Sequence, residues 1–349
     1  MNPCASTAHC GRGPQTSLLQ THNEGRPMSR PKPMTTEQLR TLKTNVRSTY
    51  IASGRDEHVD DHLNFIVSNI RDFESGVASQ RRCLFVIGHS GSGKTTTLAH
   101  HFAKLPEFQP RRRGQETIRP LISITAPKVS PTKNLIVEVL KKMNLPHHGT
   151  EHELTTLLKE QAKARSMVAL HVDEGQHAIR SNAPKAIKGV QDFLKNLMAI
   201  PDWPLHLIIS GVPEVDGMRV GDGQMERRSQ VLKFEPMEFP EDTDWLRSLL
   251  ENVAVEQCGL KLAENIRTDE FLGRLCRAMN GGWGSIIEMV QEACFVALAN
   301  GRTELTINHF AYRYDQITAC KPGDNMFHSP RWNELKPKFS LLEMVEESE

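Results

Sequence analysis

The sequence predicts an α/β protein: a five-stranded parallel sheet between helices, followed by a small all-helical lid. Three observations predict it. Short apolar runs alternate with amphipathic helical stretches up to about residue 240, the pattern of βαβ units whose sheet is covered on both faces. The first run ends in a glycine-rich loop that opens a helix. Beyond about residue 240 the strand signal stops and only helical periodicity remains.

Residues 1–33 carry Pro3, Pro14, Pro27, Pro31 and Pro33, little apolar content and no periodicity, the composition of a disordered tail. Met28 and Met34 stand just before the first helical pattern, and one reading starts translation at one of them. From Thr35 the pattern turns helical, with Val59, Leu63, Ile66, Ile70 and Phe73 on one face. The expected strands are Cys83–Ile87, Leu121–Thr125, Met167–Val172, Leu205–Ser210 and Val231–Phe234. Helices fit at Thr95–Leu105, Thr132–Met143, His152–Arg165 and Ala186–Ile200. In the lid, apolar faces recur at Trp245–Val253, Phe271–Cys276 and Ile286–Ala293, and Thr306 is placed to cap a last helix. The expected organisation is a tail at 1–33, a nucleotide-binding domain with its helical lead-in at 34–239, the lid at 240–319, and a flexible or partner-docking tail at 320–349.

Composition narrows the function classes. In 349 residues, 43 Lys+Arg nearly cancel 42 Asp+Glu, for a net charge of +1. This excludes a globally basic coat but leaves room for local basic stripes. No apolar run approaches the roughly 18–20 residues that span a bilayer. The seven cysteines are odd in number and form no CxxC pair, which predicts a reduced, cytoplasmic protein without a disulfide framework or zinc site.

The strongest chemical signal is Gly88-His89-Ser90-Gly91-Ser92-Gly93-Lys94-Thr95, a full match to G-x-x-x-x-G-K-[ST] between a strand and a helix. Glycines let backbone N–H groups wrap a phosphate, and the helix N-terminus adds its positive end. Lys94 then faces the β/γ-phosphates of ATP, the Thr95 hydroxyl ligates Mg²⁺, and Thr96 extends the cradle. The second signal is an apolar strand ending in Asp173 and Glu174. Beside a P-loop, Asp173 is expected to hold Mg²⁺ and Glu174 to polarise the attacking water. Third, Ser210 ends the fourth strand, where ligands sit in open α/β sheets, and is expected to bond the γ-phosphate or the lytic water. Fourth, Arg227 lies in a charged stretch after Gly221-Asp222-Gly223, placed to reach a neighbouring subunit's γ-phosphate, with Arg228 next in line.

Basic residues cluster at Arg111, Arg112 and Arg113, at Lys128, Thr132 and Lys133 near Ser130, and at Lys185 and Lys188. These are the candidate contacts to duplex-DNA phosphates. His89 occupies a variable loop position, and His171 is expected to alternate away from Asp173, so neither is expected to bind metal.

The ordered set of P-loop, Asp-Glu strand, Ser-ended strand, arginine pair and helical lid resembles an AAA+ ATPase. In detail it resembles the transposition regulators called TniB or TnsC. That finer likeness rests on Ser123-Ile-Thr-Ala-Pro127 leading into Pro131-Thr-Lys-Asn134, on Met225-Glu-Arg-Arg228, and on Gly281-Gly-Trp-Gly-Ser-Ile-Ile-Glu-Met-Val290. It spans roughly residues 35–318. The resemblance implies ATP-dependent self-association on duplex DNA as a ring or helical filament, near the nucleoid, and contacts with a transposase and a target-selection protein. Many AAA+ proteins carry an arginine at the start of the lid helix. Here the place falls on Gly284 or Ser285, which fits slow, regulatory hydrolysis. A helicase loader or replication initiator shares every nucleotide motif. A nucleotide-switched scaffold that does not bind DNA is the other alternative.

Overall fold

The structure, a computed structural model, describes residues 34–128, 132–179 and 184–337. The expected N-terminal tail, Ser130, the side chain of Lys185 and residues 338–349 lie outside the described residues.

Five parallel strands form the central sheet: β1 (Cys83–Ile87), β4 (Leu121–Thr125), β5 (Ala169–Asp173), β6 (His206–Gly211) and β7 (Ser229–Lys233). Their spatial order is β4-β5-β6-β1-β7. Alternation along each strand sends side chains to opposite faces. Leu84 and Val86 of β1, with Ala169, Ile208 and Leu232, pack against α2 (Arg55–Glu74) and α3 (Lys94–Lys104). Cys83 and Phe85, with Leu170, Val172, Leu207 and Ile209, pack against α4 (Thr132–Lys142), α5 (Glu151–Ala164) and α6 (Pro184–Met198). The inner strands β1, β5 and β6 are buried almost throughout and mostly apolar, whereas the edge strands β4 and β7 expose Ser123, Thr125 and Lys233.

All five expected strands are present, shifted by at most two residues. Two short strand pairs escaped the sequence reading, one of them beside the central sheet. Arg111–Arg113 forms β2, paired antiparallel with β3 (Glu116–Ile118) through a turn at Gly114. Three consecutive arginines have no apolar alternation, so they carry no strand signal.

The lid comprises α8 (Thr243–Leu250), continued by a π-helical turn at Glu251–Gln257, then α9 (Asp269–Ala278), α10 (Trp283–Ala299) and α11 (Ile307–Thr318). Its apolar faces meet in one core containing Leu246, Phe271, Ile286, Val290 and Phe310. Thr306 precedes α11, and its N–H donates to His309 Nδ1 at 3.0 Å. The strand signal does not end at residue 240 as expected: Lys261–Leu262 (β8) pairs in parallel with Glu304–Leu305 (β9). Two residues are too few to show a period. The helical lead-in is divided between the two cores. While α2 covers the sheet, α1 (Thr36–Ser48) places Val46 in the lid core beside α10.

The expectation of a flexible tail from residue 320 is corrected for residues 320–337. Met326 and Phe327 are buried in the lid core. Arg274 donates to the Met326 and Ser329 carbonyls, each at 2.8 Å, and Arg277 Nε donates to the Leu335 carbonyl at 2.8 Å. Mixed polarity suggested solvation, but two arginines of α9 satisfy the segment's carbonyls while its few apolar residues fill the core.

Candidate nucleotide site

The chain runs from β1 out to the edge strand β4, returns through β5 and β6, and then crosses to β7. The order reverses beside β1, so the crevice at the strands' C-terminal ends opens there. The Gly88–Thr95 loop occupies that place. At Gly88 a Cβ would come within 2.7 Å of Phe234 Cβ and 2.8 Å of the Phe234 carbonyl oxygen, so only glycine fits without displacing the chain after β7. Gly93 stands before α3 with φ +88°, in the left-handed region. Lys94 is buried and its Nζ donates to the Gly88 and His89 carbonyls and to Ser92 Oγ, at 2.6, 3.0 and 3.2 Å. Burial holds its pKa below the ordinary lysine range, with Glu174 and Asp173 acting in the opposite direction.

Asp173, at the end of β5, joins three elements. Thr95 Oγ1 donates to its Oδ2 at 2.8 Å, and Ser210 Oγ donates to its Oδ1 at 2.6 Å. Burial pushes the Asp173 carboxyl up. Hydrogen bonds from Ser210, Thr95 and the Glu174 N–H outweigh that and leave it below the usual carboxylate range. The structure thus brings the P-loop threonine, the strand-end aspartate and the strand-end serine together.

His171 belongs to the same cluster. Residues two apart on a strand share a face, so the expectation that it alternates away from Asp173 is corrected. Its Nε2 lies 2.9 Å from Ser210 Oγ and its Nδ1 lies 2.8 Å from Ser123 Oγ. Because Ser210 gives its proton to Asp173, Nε2–H must donate to Ser210, and Nδ1 then accepts from Ser123. The chain Ser123–His171–Ser210–Asp173 crosses three strands. Burial pushes the His171 pKa down to about 4, with Asp173 pulling the other way, which suits this neutral tautomer.

Glu174 takes a left-handed conformation with φ +54°. Gln176 Nε2 donates to its Oε2 at 2.7 Å, while Gln176 Oε1 accepts the Val212 N–H at 3.3 Å. The carboxylate is therefore tied to the end of β6.

The lid meets the loop directly. Ser285 N–H donates to the Gly91 carbonyl at 3.1 Å. A Cβ on Gly284 would lie 2.9 Å from that oxygen and 3.2 Å from Gly93 N. Of the two positions where the lid arginine is expected, Gly284 leaves no space for a side chain, while Ser285 carries a short one. A cation that the sequence reading missed lies close by. Arg55, in the first turn of α2, donates from Nη1 to the Ser92 carbonyl at 2.9 Å and stacks over Trp283, 4.3 Å from the ring centre. Burial lowers its pKa to about 10. The sequence offered no signal for it, because the contact joins residues far apart in the chain.

Beside Gly93 and Thr96 is a cavity of about 420 Å³, lined by Tyr50, Ile51, Trp245 and Ile287 among others. Its size and the mix of aromatic and aliphatic side chains with polar ones such as Arg55 and Gln291 suit an organic ring system bearing polar groups. The Tyr50 ring stacks on His100 at 3.6 Å, and its hydroxyl donates to Asp56 Oδ1 at 2.6 Å.

The remaining expected residues lie elsewhere. His89, Ser90 and Thr96 are exposed at the loop, whereas Ser92 is buried. Arg227 is exposed in the last turn of α7 (Gly223–Arg228). That turn precedes Ser229, which pairs with Cys83 at the start of β1. It therefore lies at the opposite end of the strands from the P-loop, roughly 13 Å along the sheet at about 3.3 Å per residue. The segment before it is tightly held rather than free. Asp222 accepts from the Gln224 and Met225 N–H groups and pairs with Lys188 at 2.9 Å and Lys195 at 2.8 Å. Lys188 is thereby engaged. Thr132 is buried at the start of α4. Arg113 donates to Ser166 Oγ at 3.0 Å and to the Ala164 carbonyl at 2.7 Å. Arg111, Arg112 and Lys128 are exposed and Lys133 is half-buried. The DNA candidates thus do not form one cluster.

Residues 77–218 match the family model described as an AAA domain. Together with the five-stranded sheet, this defines an AAA-type ATPase domain in an AAA+ fold. No curated protein matches the chain. The crystal structure of Cdc6p from Pyrobaculum aerophilum is similar, with 15% identity and a TM-score of 0.52 over 78% of this chain and 70% of that one. The Aeropyrum pernix ORC2 protein in its ADPNP–ADP complexes aligns at 14% identity and a TM-score of 0.48, over 83% of this chain and 70% of its own. At these identities the likeness is one of fold. No helix of the described residues is long and apolar enough to cross a membrane.

Proposed function

We propose that the protein is an ATP-dependent, DNA-binding AAA+ ATPase that assembles on duplex DNA and directs a transposase to its target. The observation that carries the ATPase reading is the convergence of Thr95, Asp173 and Ser210 beside Lys94. A hydroxyl and a carboxylate 2.8 Å apart at a phosphate-sized glycine cradle are the donor set that Mg²⁺–ATP requires. The cavity by Tyr50 and Trp245 suits the base. Bound Mg²⁺ would neutralise charge developing on the phosphates. Lys94 offsets β/γ-phosphate charge, and Glu174, held by Gln176, orients and polarises water. Ser210 fixes the Asp173 carboxylate. Arg227 lies too far along the sheet to serve its own nucleotide, so it serves a neighbour's, which ties hydrolysis to assembly.

The transposition role rests on the resemblance to TniB and TnsC. A replication-initiator role is the second reading, favoured by the fold likeness to Cdc6p. Electron microscopy with duplex DNA and a non-hydrolysable ATP analogue tests assembly. Adding a purified DDE-type transposase, taken from the neighbouring genes where one lies there, tests the role: nucleotide-dependent stimulation of strand transfer is expected. Assembly without any effect on that transposase would favour the initiator reading.

A further inference from the structure

Three separate chain segments bring cations to one small concavity at the free edge of the sheet, at the strand ends opposite the nucleotide crevice. A pocket of about 230 Å³ is lined by Thr117, Arg119, Lys142, Asn144 and Arg165, with Ile122 and Met143 as its apolar wall. Arg119 stands between the β2–β3 hairpin and the edge strand β4. Lys142 ends α4, and Arg165 follows α5. The hairpin that flanks the pocket is clamped to the end of α5 by the two Arg113 bonds.

Two of these cations have a partial local explanation. Lys142 and Arg165 stand at helix C-termini, where positive charge offsets the carbonyl dipoles. Arg165 also donates to the Met143 carbonyl at 2.9 Å and to Gln161 Oε1 at 3.1 Å. Arg119 has no such role. It is exposed, follows no helix, and makes no side-chain hydrogen bond or ion pair with the described residues. Lys142 likewise has no carboxylate partner among them. Unpaired cations beside amide and hydroxyl donors, in a pocket this small, match the size and charge of one phosphodiester group. The exposed Arg112 on the adjoining hairpin extends the positive surface beyond the pocket, as a backbone continuing past one phosphate requires.

We infer that the Arg119–Lys142–Arg165 pocket is a second contact site for the phosphate backbone of duplex DNA, separate from the Lys128 and Lys133 loop. The inference rests on the proposed DNA-binding activity. It adds the surface at the opposite end of the edge strand, so that DNA contacts span the length of β4.

The test is the double variant Arg119→Glu, Lys142→Glu. Arg165 is left intact because it caps α4. Binding of a labelled duplex is measured in the presence of a non-hydrolysable ATP analogue across a salt series, with nucleotide affinity as the control for folding. Each phosphate contact contributes about 0.9 to the slope of log affinity against log salt. The double variant should therefore lose roughly 1.8 from that slope and bind at least tenfold more weakly on every sequence tested, with nucleotide affinity unchanged. If the wild-type protein does not bind duplex DNA at all, the proposed function fails. If it binds and the double variant has the same slope and affinity, the second site is refuted. A third arm titrates inorganic pyrophosphate at constant ionic strength. Pyrophosphate binding that the double substitution abolishes while DNA affinity stays unchanged would assign the pocket to a small phosphorylated ligand and overturn the inference.

Discussion

Asp173 has two hydroxyl donors on its two oxygens, and each neighbour of that carboxylate makes a separate prediction. Lys94→Ala removes the buried cation beside the loop and should abolish ATP binding in a fluorescent-nucleotide titration, together with nucleotide-dependent DNA association. Glu174→Gln keeps shape and the contact to Gln176 but cannot polarise water. ATP affinity should persist while phosphate release falls to background, and complexes on DNA should live longer. His171 is a positioning residue. Replacing it with Leu deprives Ser210 of its donor, a loss of about 1 kcal/mol or roughly fivefold. The change should appear as a higher half-saturating Mg²⁺ in steady-state hydrolysis, with nucleotide binding in the absence of Mg²⁺ unaltered. His171→Gln, whose terminal amide N–H reaches about as far as Nε2, should restore most of the Mg²⁺ affinity. A purely structural role would move both Leu and Gln variants equally.

Two elements set how the site communicates with the rest of the molecule. The start of α10 lies against the P-loop through Ser285 and Gly284, so the lid and the phosphate cradle are in direct contact. Gly284→Arg, which supplies the arginine common at this place in AAA+ proteins, should weaken ATP binding at least tenfold, because its first carbon would already crowd Gly91 and Gly93. Tighter binding in that variant would overturn the steric account. The short helix α7 presents Arg227 away from its own nucleotide. Arg227→Ala should bind ATP normally yet lose about 10³–10⁵ in assembled turnover, the range typical of an arginine supplied in trans. Mixing it with Lys94→Ala should recover some hydrolysis, since each protein carries what the other lacks. Normal turnover by Arg227→Ala alone would pass the role to Arg228.

Across the whole molecule, the buried histidines make stability depend on pH. His206 is fully buried at the start of β6, with Nε2 2.9 Å from Asn69 Nδ2, and burial pushes its pKa down to about 4. Between about pH 6.5 and pH 4 the unfolded chain binds a proton that the folded chain does not. Stability is therefore fully present above pH 6.5 and falls on acidification, by up to about 1.4 kcal/mol per pH unit for one such group. Denaturant midpoints at pH 7 and pH 5 should show the decline. His206→Asn should flatten that dependence even if it lowers stability at pH 7.

Much of the sheet and of the phosphate cradle was legible in the sequence, because both are local. Buried parallel strands must be apolar for four to six residues, and a phosphate-wrapping loop must place its glycines, Lys94 and Thr95 at fixed spacing. The carboxylates Asp173 and Glu174 follow their strand in the same way. What the tertiary structure alone decided are contacts between residues distant in the chain. Arg55 reaches Ser92 across 37 positions, and Gly284 at the start of the lid helix lies pressed against Gly91. The segment after residue 320 looked like a tail until Arg274 and Phe327 showed it packed. Arg119, Lys142 and Arg165 read as unrelated surface charges, and only the folding of β4, α4 and α5 side by side brings them to one pocket. Periodicity reports which face of an element is buried, but it carries no information about which element will lie against it.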